Sequence, residues 1–505
     1  MSVLEAEGNC WRVERAPRAA LLIDMAEYFL AAKAAIRKAR RSVHMLNWAF
    51  DPATLLDPQP GGVGPEDDRF GPFLKGLACD RPELDIRILC WKSALPVSAT
   101  QRFFPHRAKE CFEGTPVHFL LDATVPLGAC HHQKMIVVDD EIAFCGGGDI
   151  GPDRWDTMAH LDDDPRRQMS RRNQKEFMAR HEMMCVVDGP IAAALGEHFR
   201  SRWERATGHV LVPTPPSHGD AWPDCIVPDL RGVGVGVART QPAWRGFPEV
   251  RESEALYVAQ VAAAKSCIYM ENQYFTSPLI AEALADRLAE PDGPEVVLVS
   301  TVHSPSWFDQ MTMDRTRSMF IKHLRAADRH GRLHTYVPVT EQGRLIIVHA
   351  KMAIIDDTLL RVGSSNMNNR SSGFDTECDV CFEADDDDTA ARERIGLLRT
   401  RLIAHWLGCP PALVQAAHDK AGGVGAGIEH LRSEGYRRLQ PLQPKSLGPL
   451  ATFIAAYHLG DPIGTSDSWR PWRRRAALAA RQAAFSQSLR DKAARARHPS
   501  SCKGP

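Results

Sequence analysis

Two short stretches of the chain carry the same reactive side chains at the same spacing. Each has a histidine, a lysine two positions later and an aspartate five positions after the lysine: His132, Lys134 and Asp139 in the first stretch, and His349, Lys351 and Asp356 in the second. Imidazole can attack phosphorus or transfer a proton near neutral pH, and a lysine ammonium can neutralise a phosphate oxygen. The repeat therefore predicts a site that handles a phosphodiester with two copies of one motif.

Apolar, β-branched runs must position these side chains. Residues 135–138 and 352–355 are typical of buried strands, and residues two apart on a strand face the same side, so each histidine should project beside its lysine. In both copies a tight turn and a second strand follow. That strand ends in small residues, which let the backbone approach a ligand closely. The residues at these ends include Gly147 and Asp149 in the first copy, and Ser364 and Asn366 in the second.

The two motifs resemble the paired His-x-Lys-x4-Asp (HKD) motifs of the phospholipase D superfamily. Three neighbouring stretches fit the resemblance: Glu-Asn-Gln-Tyr-Phe at 271–275, Gly-Gly-Asp at 147–149 and Arg-Trp-Asp at 154–156. The resemblance covers most of the chain and is closest in appearance to phospholipase D proper. It implies cleavage on the headgroup side of a glycerophospholipid, giving phosphatidic acid through a phosphohistidine intermediate, with water or an alcohol as acceptor.

The resemblance also assigns roles to the two histidines and to two acids. It makes His132 the nucleophile and His349 the general acid and base, a distinction that the residues alone leave open. Each ring needs a carboxylate on its other nitrogen. The resemblance pairs Glu377 with His132, and Glu182 with His349, across the interface between the two halves. This scheme requires no metal ion and no other cofactor.

Further polar residues are expected to border the phosphate. Asn366 can donate hydrogen bonds to phosphate oxygens, as can the hydroxyl of Ser364, whereas an ionised Asp149 in the first half cannot. We expect a structural role for the residues at the motif turns and strand ends: Asp139, Asp356, Gly147, Asp149 and Ser364. The expected substrate-binding residues are Trp48, Asn272 and Gln273.

Strands alternate with amphipathic helices in both halves of the chain. An apolar stripe at 22–36 leads into the strand pattern at 43–48, and a second stripe at 255–263 leads into the one at 267–270. This predicts an α/β fold of two duplicated, phospholipase D-like α-β-α sandwich lobes with the active site at their interface, plus a basic C-terminal extension. The predicted boundaries are 1–205 for the first lobe, 206–240 for a linker region, 241–410 for the second lobe and 411–505 for the helical, basic extension.

Composition bears on location and partners. No apolar run approaches the ~18 residues that cross a bilayer, and the acidic N-terminus lacks the pattern of a secretory signal. We therefore expect cytoplasmic residence, with a peripheral membrane surface as a partner if the substrate is a phospholipid. Trp469 and Trp472 stand among arginines that either bind an anionic membrane or form a solvated basic tail. Thirteen scattered cysteines predict buried thiols and not disulfides.

Other functions stay open at this point. They are a cardiolipin synthase-type phosphatidyltransferase, a nuclease or other phosphodiesterase of the same superfamily, and a lipid-binding protein without activity. A formal net charge of −1 weighs against nucleic acid as a partner. Intact histidines and lysines in both motifs argue against loss of activity. Two motifs in one chain predict catalytic competence as a monomer, whereas headgroup preference and the physiological acceptor are not fixed by the residues.

Overall fold

A computed structural model describes residues 2–93, 104–167, 169–170, 175–217, 219–304, 307–445 and 448–497. Its strands are β1 (Arg12–Ile23), β2 (Ser42–Asn47), β3 (Asp85–Trp91), β4 (His118–Asp122), β5 (Met135–Val138), β6 (Ile142–Gly146), β7 (Met169–Ser170), β8 (Lys175–Glu176), β9 (Arg180–His181), β10 (Met183–Asp188), β11 (Leu230–Gln241), β12 (Val250–Arg251), β13 (Cys267–Asn272), β14 (Glu295–Val299), β15 (Leu333–Pro338), β16 (Ile347–Val348), β17 (Lys351–Ile355), β18 (Leu359–Gly363), β19 (Glu377–Glu383) and β20 (Leu439–Pro441). Its α-helices are α1 (Met25–Lys38), α2 (Phe70–Asp80), α3 (Phe104–Phe112), α4 (Pro190–Thr207), α5 (Glu252–Ala263), α6 (Pro278–Ala289), α7 (Trp307–Ala327), α8 (Asn369–Gly373), α9 (Thr389–Leu407), α10 (Pro411–Ala421), α11 (Val424–Ser433), α12 (Pro449–Ala456) and α13 (Pro471–Arg497).

The first half of the chain builds seven neighbouring strands of a mixed sheet. β4, β3 and β2 are parallel to one another, and β5, β6, β10 and β1 follow as antiparallel neighbours. Parallel neighbours need a crossover connection. The helices α2 and α3 provide it between β2, β3 and β4.

The second half repeats this arrangement strand for strand. β15, β14 and β13 are parallel, and β17, β18, β19 and β11 follow as antiparallel neighbours. The helices α6 and α7 connect the parallel strands. The duplication read from the two motifs therefore extends through the whole sheet of each half.

The two halves are joined along their central strands into one sheet. β1 and β11 are antiparallel partners, with Val13 opposite Gly236, and the resulting sheet has 16 strands. Much of β11 falls in the region 206–240 that the sequence placed as a linker. Its three valines, Val233, Val235 and Val237, are buried, so this segment is part of the shared core.

Helices cover both faces of the sheet. One buried cluster packs α1, α2 and α3 on the first half, and a second packs α5, α6 and α7 on the second half. A third cluster lies on the opposite face, where α4, α9 and α11 cover strands of both halves. The fold is thus the α/β sandwich that the sequence predicted, with a core that runs across the boundary between its halves.

The C-terminal segment packs on the second half. β20 pairs with β15 at the edge of the sheet, α10 and α11 pack beside α9, α12 packs on α7, and α13 packs on α6. Trp469, just before α13, and Trp472, in its first turn, are exposed. In the part of the chain that the structure describes, no helix has the length and apolar character to cross a membrane. The described cysteines are free thiols.

Candidate active site

Each histidine–lysine pair stands at the start of a buried strand in the middle of its half. Lys134 immediately precedes β5, and Lys351 is the first residue of β17. The strand β5 pairs with β2, and β17 pairs with β13, where Lys351 lies opposite Asn272. Both motifs therefore begin at equivalent points in the two halves.

The motif aspartates hold the turn after each of these strands. Asp139 accepts backbone hydrogen bonds from residues 40, 41 and 42, each at 2.8 Å. Asp356 accepts them from residues 265, 266 and 267. Both aspartates adopt positive φ, at 55° and 50°, a conformation that Asp tolerates better than most residues. Their contacts are with the loops that enter β2 and β13, which accords with the structural role expected for them.

Each histidine is held by a carboxylate from the opposite half. His132 Nδ1 lies 3.0 Å from Glu377 Oε2, and His349 Nδ1 lies 2.7 Å from Glu182 Oε2. These are the two pairings expected from the sequence. Because both carboxylates are fully buried, each is an effective hydrogen-bond acceptor that fixes its ring and leaves Nε2 available.

Close backbone contacts bring the two motifs to one place. His132 N donates to Thr376 O at 2.9 Å, and His349 N donates to His181 O at 2.8 Å. At Gly147, a Cβ atom would lie 3.1 Å from Lys351 Cδ and 3.3 Å from His349 O. A side chain there would press against the second motif, so glycine permits the approach of the two halves.

The lysines lie beside their histidines, as the strand pattern predicted. Lys134 Nζ and Lys351 Nζ each donate to the carbonyl of the preceding histidine at 2.6 Å. Lys134 Nζ is also 3.7 Å from Asp149 Oδ2, whereas Lys351 Nζ donates to Gln273 Oε1 at 3.3 Å. Both ammonium groups are almost fully buried, which strengthens their interaction with an anion brought between them.

Burial and these cations set the protonation of the site. Burial, followed by the ammonium groups of Lys134 and Lys351, lowers the pKa of His132 well below its usual value. Burial and then Lys351 lower the pKa of His349 in the same direction. Burial likewise lowers the pKa of Lys351 and raises that of Glu377. These shifts favour the neutral form of both imidazoles in the free site, in contrast to a pair in which one ring is neutral and the other is charged.

The two halves differ where they border the histidines. Trp48 makes an edge contact with His132 at a centroid distance of 6.4 Å and stacks on Trp91 at 5.8 Å. The residue after the equivalent strand of the second half is Gln273, which contacts Lys351. The site thus has one aromatic wall and one polar wall.

The strand ends differ as well. Asp149 accepts backbone hydrogen bonds from residues 48 and 49, so one of its oxygens holds the loop beside Trp48. Asn366 is buried, and within the described ranges its Oδ1 has no hydrogen-bond partner. Ser364 donates its hydroxyl hydrogen to Glu377, and its carbonyl lies 3.0 Å from His132 Nδ1.

Asn272, expected to bind substrate, has one side-chain atom committed to the fold. Its Oδ1 accepts from the backbone N–H groups of Tyr274 and Met367, each at 3.1 Å, so this oxygen holds two loops together. One residue that borders the site was not among those predicted. Arg154 donates to Glu182 at 2.9 Å, and its position in the Arg-Trp-Asp stretch beside the first motif was a signal for it.

Comparisons with known proteins find similarity to proteins of the phospholipase D type. A family model described as "Cardiolipin synthase, PLD-like domain" matches residues 257–394. The chain is 24% identical to phospholipase D A of Dictyostelium discoideum over 79% of its length, and 22% identical to phospholipase D1 of Saccharomyces cerevisiae over 83%. It is 23% identical to phospholipase D alpha 1 of Carica papaya over 69%. The alignments span 36%, 30% and 59% of these relatives, so each relative is much longer than the matched part.

A solved structure shares the fold. Phosphatidylserine synthase of Haemophilus influenzae superposes with a TM-score of 0.52 at 11% identity, covering 90% of this chain and 93% of that one. At this identity the likeness concerns the fold. It extends over both halves, in contrast to the family model, which matches the second half.

Proposed function

We propose that this chain, which belongs to the phospholipase D superfamily, cleaves a glycerophospholipid on its headgroup side and releases phosphatidic acid. The observation that carries the proposal is the crossed pair of histidines. Each ring is held by a buried carboxylate of the other half, and a buried lysine lies beside each ring. Such a site has a nucleophile, a proton carrier and two cations for one phosphodiester.

The first step in this mechanism forms a covalent intermediate. The phosphodiester anion binds between Lys134 and Lys351, and its charge offsets theirs, which favours protonation of His349. His132 Nε2 attacks phosphorus while Glu377 holds Nδ1. The bond from phosphorus to the headgroup oxygen breaks, and His349 Nε2 gives its proton to that oxygen. The products are the free headgroup alcohol and a phosphatidyl-histidine.

The second step reverses the proton transfer. The neutral His349 takes a proton from water, whose oxygen attacks phosphorus and displaces His132. Phosphatidic acid leaves, and His349 is again protonated. An alcohol that enters in place of water gives a phosphatidyl alcohol by the same route.

A lipid substrate explains the aromatic residues beside His132 and the net charge of the chain better than a nucleic acid substrate does. Trp48 and Trp91 form a stacked pair next to His132, and indoles suit a boundary between water and acyl chains. With a formal net charge of −1, the chain lacks the excess of basic residues that is typical of a protein that binds a polyanion. The exposed Trp469 and Trp472, close to Arg470 and Arg473, provide a surface for peripheral contact with an anionic membrane.

A phosphatidyltransferase of the cardiolipin synthase type is the second candidate. The description of the family model that matches residues 257–394 favours it. The first step would be the same, and the acceptor in the second step would be the hydroxyl of another lipid. For both candidates we propose that the protein resides in the cytoplasm and is active as a monomer.

The test is headgroup release from phosphatidylcholine vesicles doped with anionic lipid. We expect His132→Ala and His349→Ala each to lower kcat by about 10²–10⁴, the usual contribution of such groups, while the exposed control His330→Ala retains full activity. Added ethanol should divert the product to phosphatidylethanol. Product analysis by mass spectrometry separates the candidates, since phosphatidic acid supports the phospholipase and cardiolipin supports the transferase. Full activity in either active-site variant would overturn the proposal.

A further inference from the structure

Four side chains converge at a buried point behind the active site. They are Asp24, before α1, His160, in the loop after the first motif, His181, in β9, and His405, in α9. One ligand-type atom from each lies within 4.8 Å of the corresponding atoms of the other three. The first three residues belong to the first half and the fourth to the second, so the cluster lies between the halves.

The converging atoms have no hydrogen-bond partners among the residues that the structure describes. Asp24 Oδ2, His160 Nε2, His181 Nδ1 and His405 Nε2 are all buried and unpaired, and the side chains of Asp24, His160 and His181 are almost completely excluded from water. An unpaired buried polar atom costs free energy comparable to a lost hydrogen bond. Four of them at one point indicate that something else occupies the space between them.

In two of the rings, the nitrogen that points away from this space indicates what occupies it. His160 Nδ1 lies 2.9 Å from Asp156 Oδ2, and His181 Nε2 lies 2.7 Å from Glu271 Oε2. When the outer nitrogen donates its proton to a carboxylate, the inner nitrogen presents a lone pair. Carboxylate–histidine pairs of this kind are the usual support of metal-binding imidazoles.

The inner atoms are close enough to share one ion. His181 Nδ1 is 2.9 Å from Asp24 Oδ1 without hydrogen-bond alignment, and His160 Nε2 is 3.5 Å from Asp24 Oδ2. A lone pair facing a carboxylate at such a distance is repelled unless a proton or a metal ion lies between them. A tetrahedral ion with bonds of about 2.0–2.1 Å would separate its ligand atoms by about 3.4 Å, so four atoms that lie within 4.8 Å of one another would have to move closer by up to about 1.4 Å.

The backbone conformation of Asp24 also indicates that its carboxylate is needed at this position. Its φ and ψ are 68° and 159°, a region that is populated almost only by glycine. Strain of this kind persists where the side chain is needed. Asp24 also accepts a hydrogen bond from the backbone N–H of Glu182 at 3.1 Å.

We propose that Asp24, His160, His181 and His405 bind one Zn²⁺ ion that fastens α9 to the first half of the chain. Three imidazoles and one carboxylate form a typical donor set for zinc. Four protein ligands leave no open position, which indicates a structural ion and not a catalytic one. The site is separate from the reaction, because none of its ligands belongs to the two motifs. Its influence on the reaction is positional, since His181 adjoins Glu182 in the chain.

The test is metal binding by the full-length chain, with matched histidine variants. The chain is stripped with a chelator, reconstituted with Zn²⁺ or Co²⁺ and measured for metal content, for the visible absorption of tetrahedral Co²⁺ and for Tm. His405→Gln removes one ligand, and His418→Gln is the control, because His418 is also a largely buried histidine with an unpaired Nε2 but lies outside the cluster. His349→Ala tests for binding by the active-site histidines.

We expect the wild-type chain and the His418→Gln and His349→Ala variants each to bind one ion per chain, to show the Co²⁺ bands and to melt at a higher temperature with metal. His405→Gln should lose at least about 100-fold in affinity, the upper end of what support residues cost, and should lose the Co²⁺ bands. Absence of stoichiometric binding in the wild type would overturn the proposal. Equal binding by the His405→Gln variant, or loss of binding in the His349→Ala variant, would also overturn the proposal, because either result would mean that the ion binds elsewhere.

Discussion

The division of labour between the two histidines can be tested by replacing the acid that supports one of them. Glu182 lies 2.7 Å from His349 Nδ1 and 2.9 Å from Arg154 Nη1, and it is fully buried. Glu182→Gln keeps the size of the side chain and an oxygen for His349, but removes the negative charge. The protonated form of His349 then faces Arg154 without compensation, so a smaller fraction of the ring is protonated and able to donate a proton.

The expected magnitude follows from the charge that this hydrogen bond loses. A hydrogen bond to a charged group contributes about 1.5–3 kcal/mol, and each 1.36 kcal/mol changes a rate tenfold. Glu182→Gln should therefore lower kcat on phosphatidylcholine by about 10- to 150-fold. The control is Glu254→Gln, which removes another buried carboxylate with arginine partners. The control should lower Tm and leave kcat unchanged.

The leaving group separates proton donation from nucleophilic attack. With a phosphatidyl p-nitrophenyl ester the leaving oxygen needs no proton, so the first step in Glu182→Gln should recover most of its rate. Water activation by His349 stays impaired, and stopped-flow absorbance should show a burst of one p-nitrophenolate per active chain. His132→Ala should give no burst. A wild-type rate for Glu182→Gln on phosphatidylcholine, or a first step that is slowed equally on both substrates, would refute the assignment of His349 as the proton donor.

Three further predictions concern ions, packing and pH. A brief exposure to EDTA should leave the initial rate unchanged on vesicles that bind the protein without calcium, because the two-histidine mechanism uses no metal; rapid inhibition would contradict it. Gly363→Ala would place a Cβ atom against Asp379 Oδ1 and 2.6 Å from Asp379 Cα, so it should lower the free energy of unfolding by about 3 kcal/mol. Gly76→Ala, in α2, has open space around it and should raise the free energy of unfolding by about 0.5–1 kcal/mol. Denaturant titration of the two variants compares these values. Because the pKa values of His132 and His349 are lowered in the folded chain, the unfolded chain binds more protons at these two rings, so they should lower stability as pH drops below about 6.5, against an opposite contribution from Glu377, whose pKa is raised. An equally steep fall in stability from pH 7 to pH 5 in the His132→Ala and His349→Ala variants would contradict this.

Much of the site followed from the sequence because its geometry is local. Strand alternation places His132 beside Lys134, and the turn after β5 explains the role of Asp139. The pairing of His132 with Glu377 joins residues far apart in the chain, and only the resemblance to a duplicated family predicted it.

Other features depend on long-range packing that leaves little trace in the sequence. β11 follows a proline-rich stretch and contains glycines at 232, 234 and 236, which weaken a strand signal. It forms because β1 and β19 flank it. The cluster of Asp24, His160, His181 and His405 has no spacing pattern, since its residues come from four separate segments.

The covalent intermediate provides the most direct test of the mechanism. The wild-type chain and the Glu182→Gln variant would be mixed with vesicles that contain the phosphatidyl p-nitrophenyl ester, quenched in alkali to preserve phosphohistidine, digested and analysed by mass spectrometry. The account predicts a phosphatidyl or phosphoryl adduct on the peptide that contains His132, with more of it in the variant than in the wild type. An active enzyme that carries the adduct on His349, or that forms none on either histidine, would contradict it.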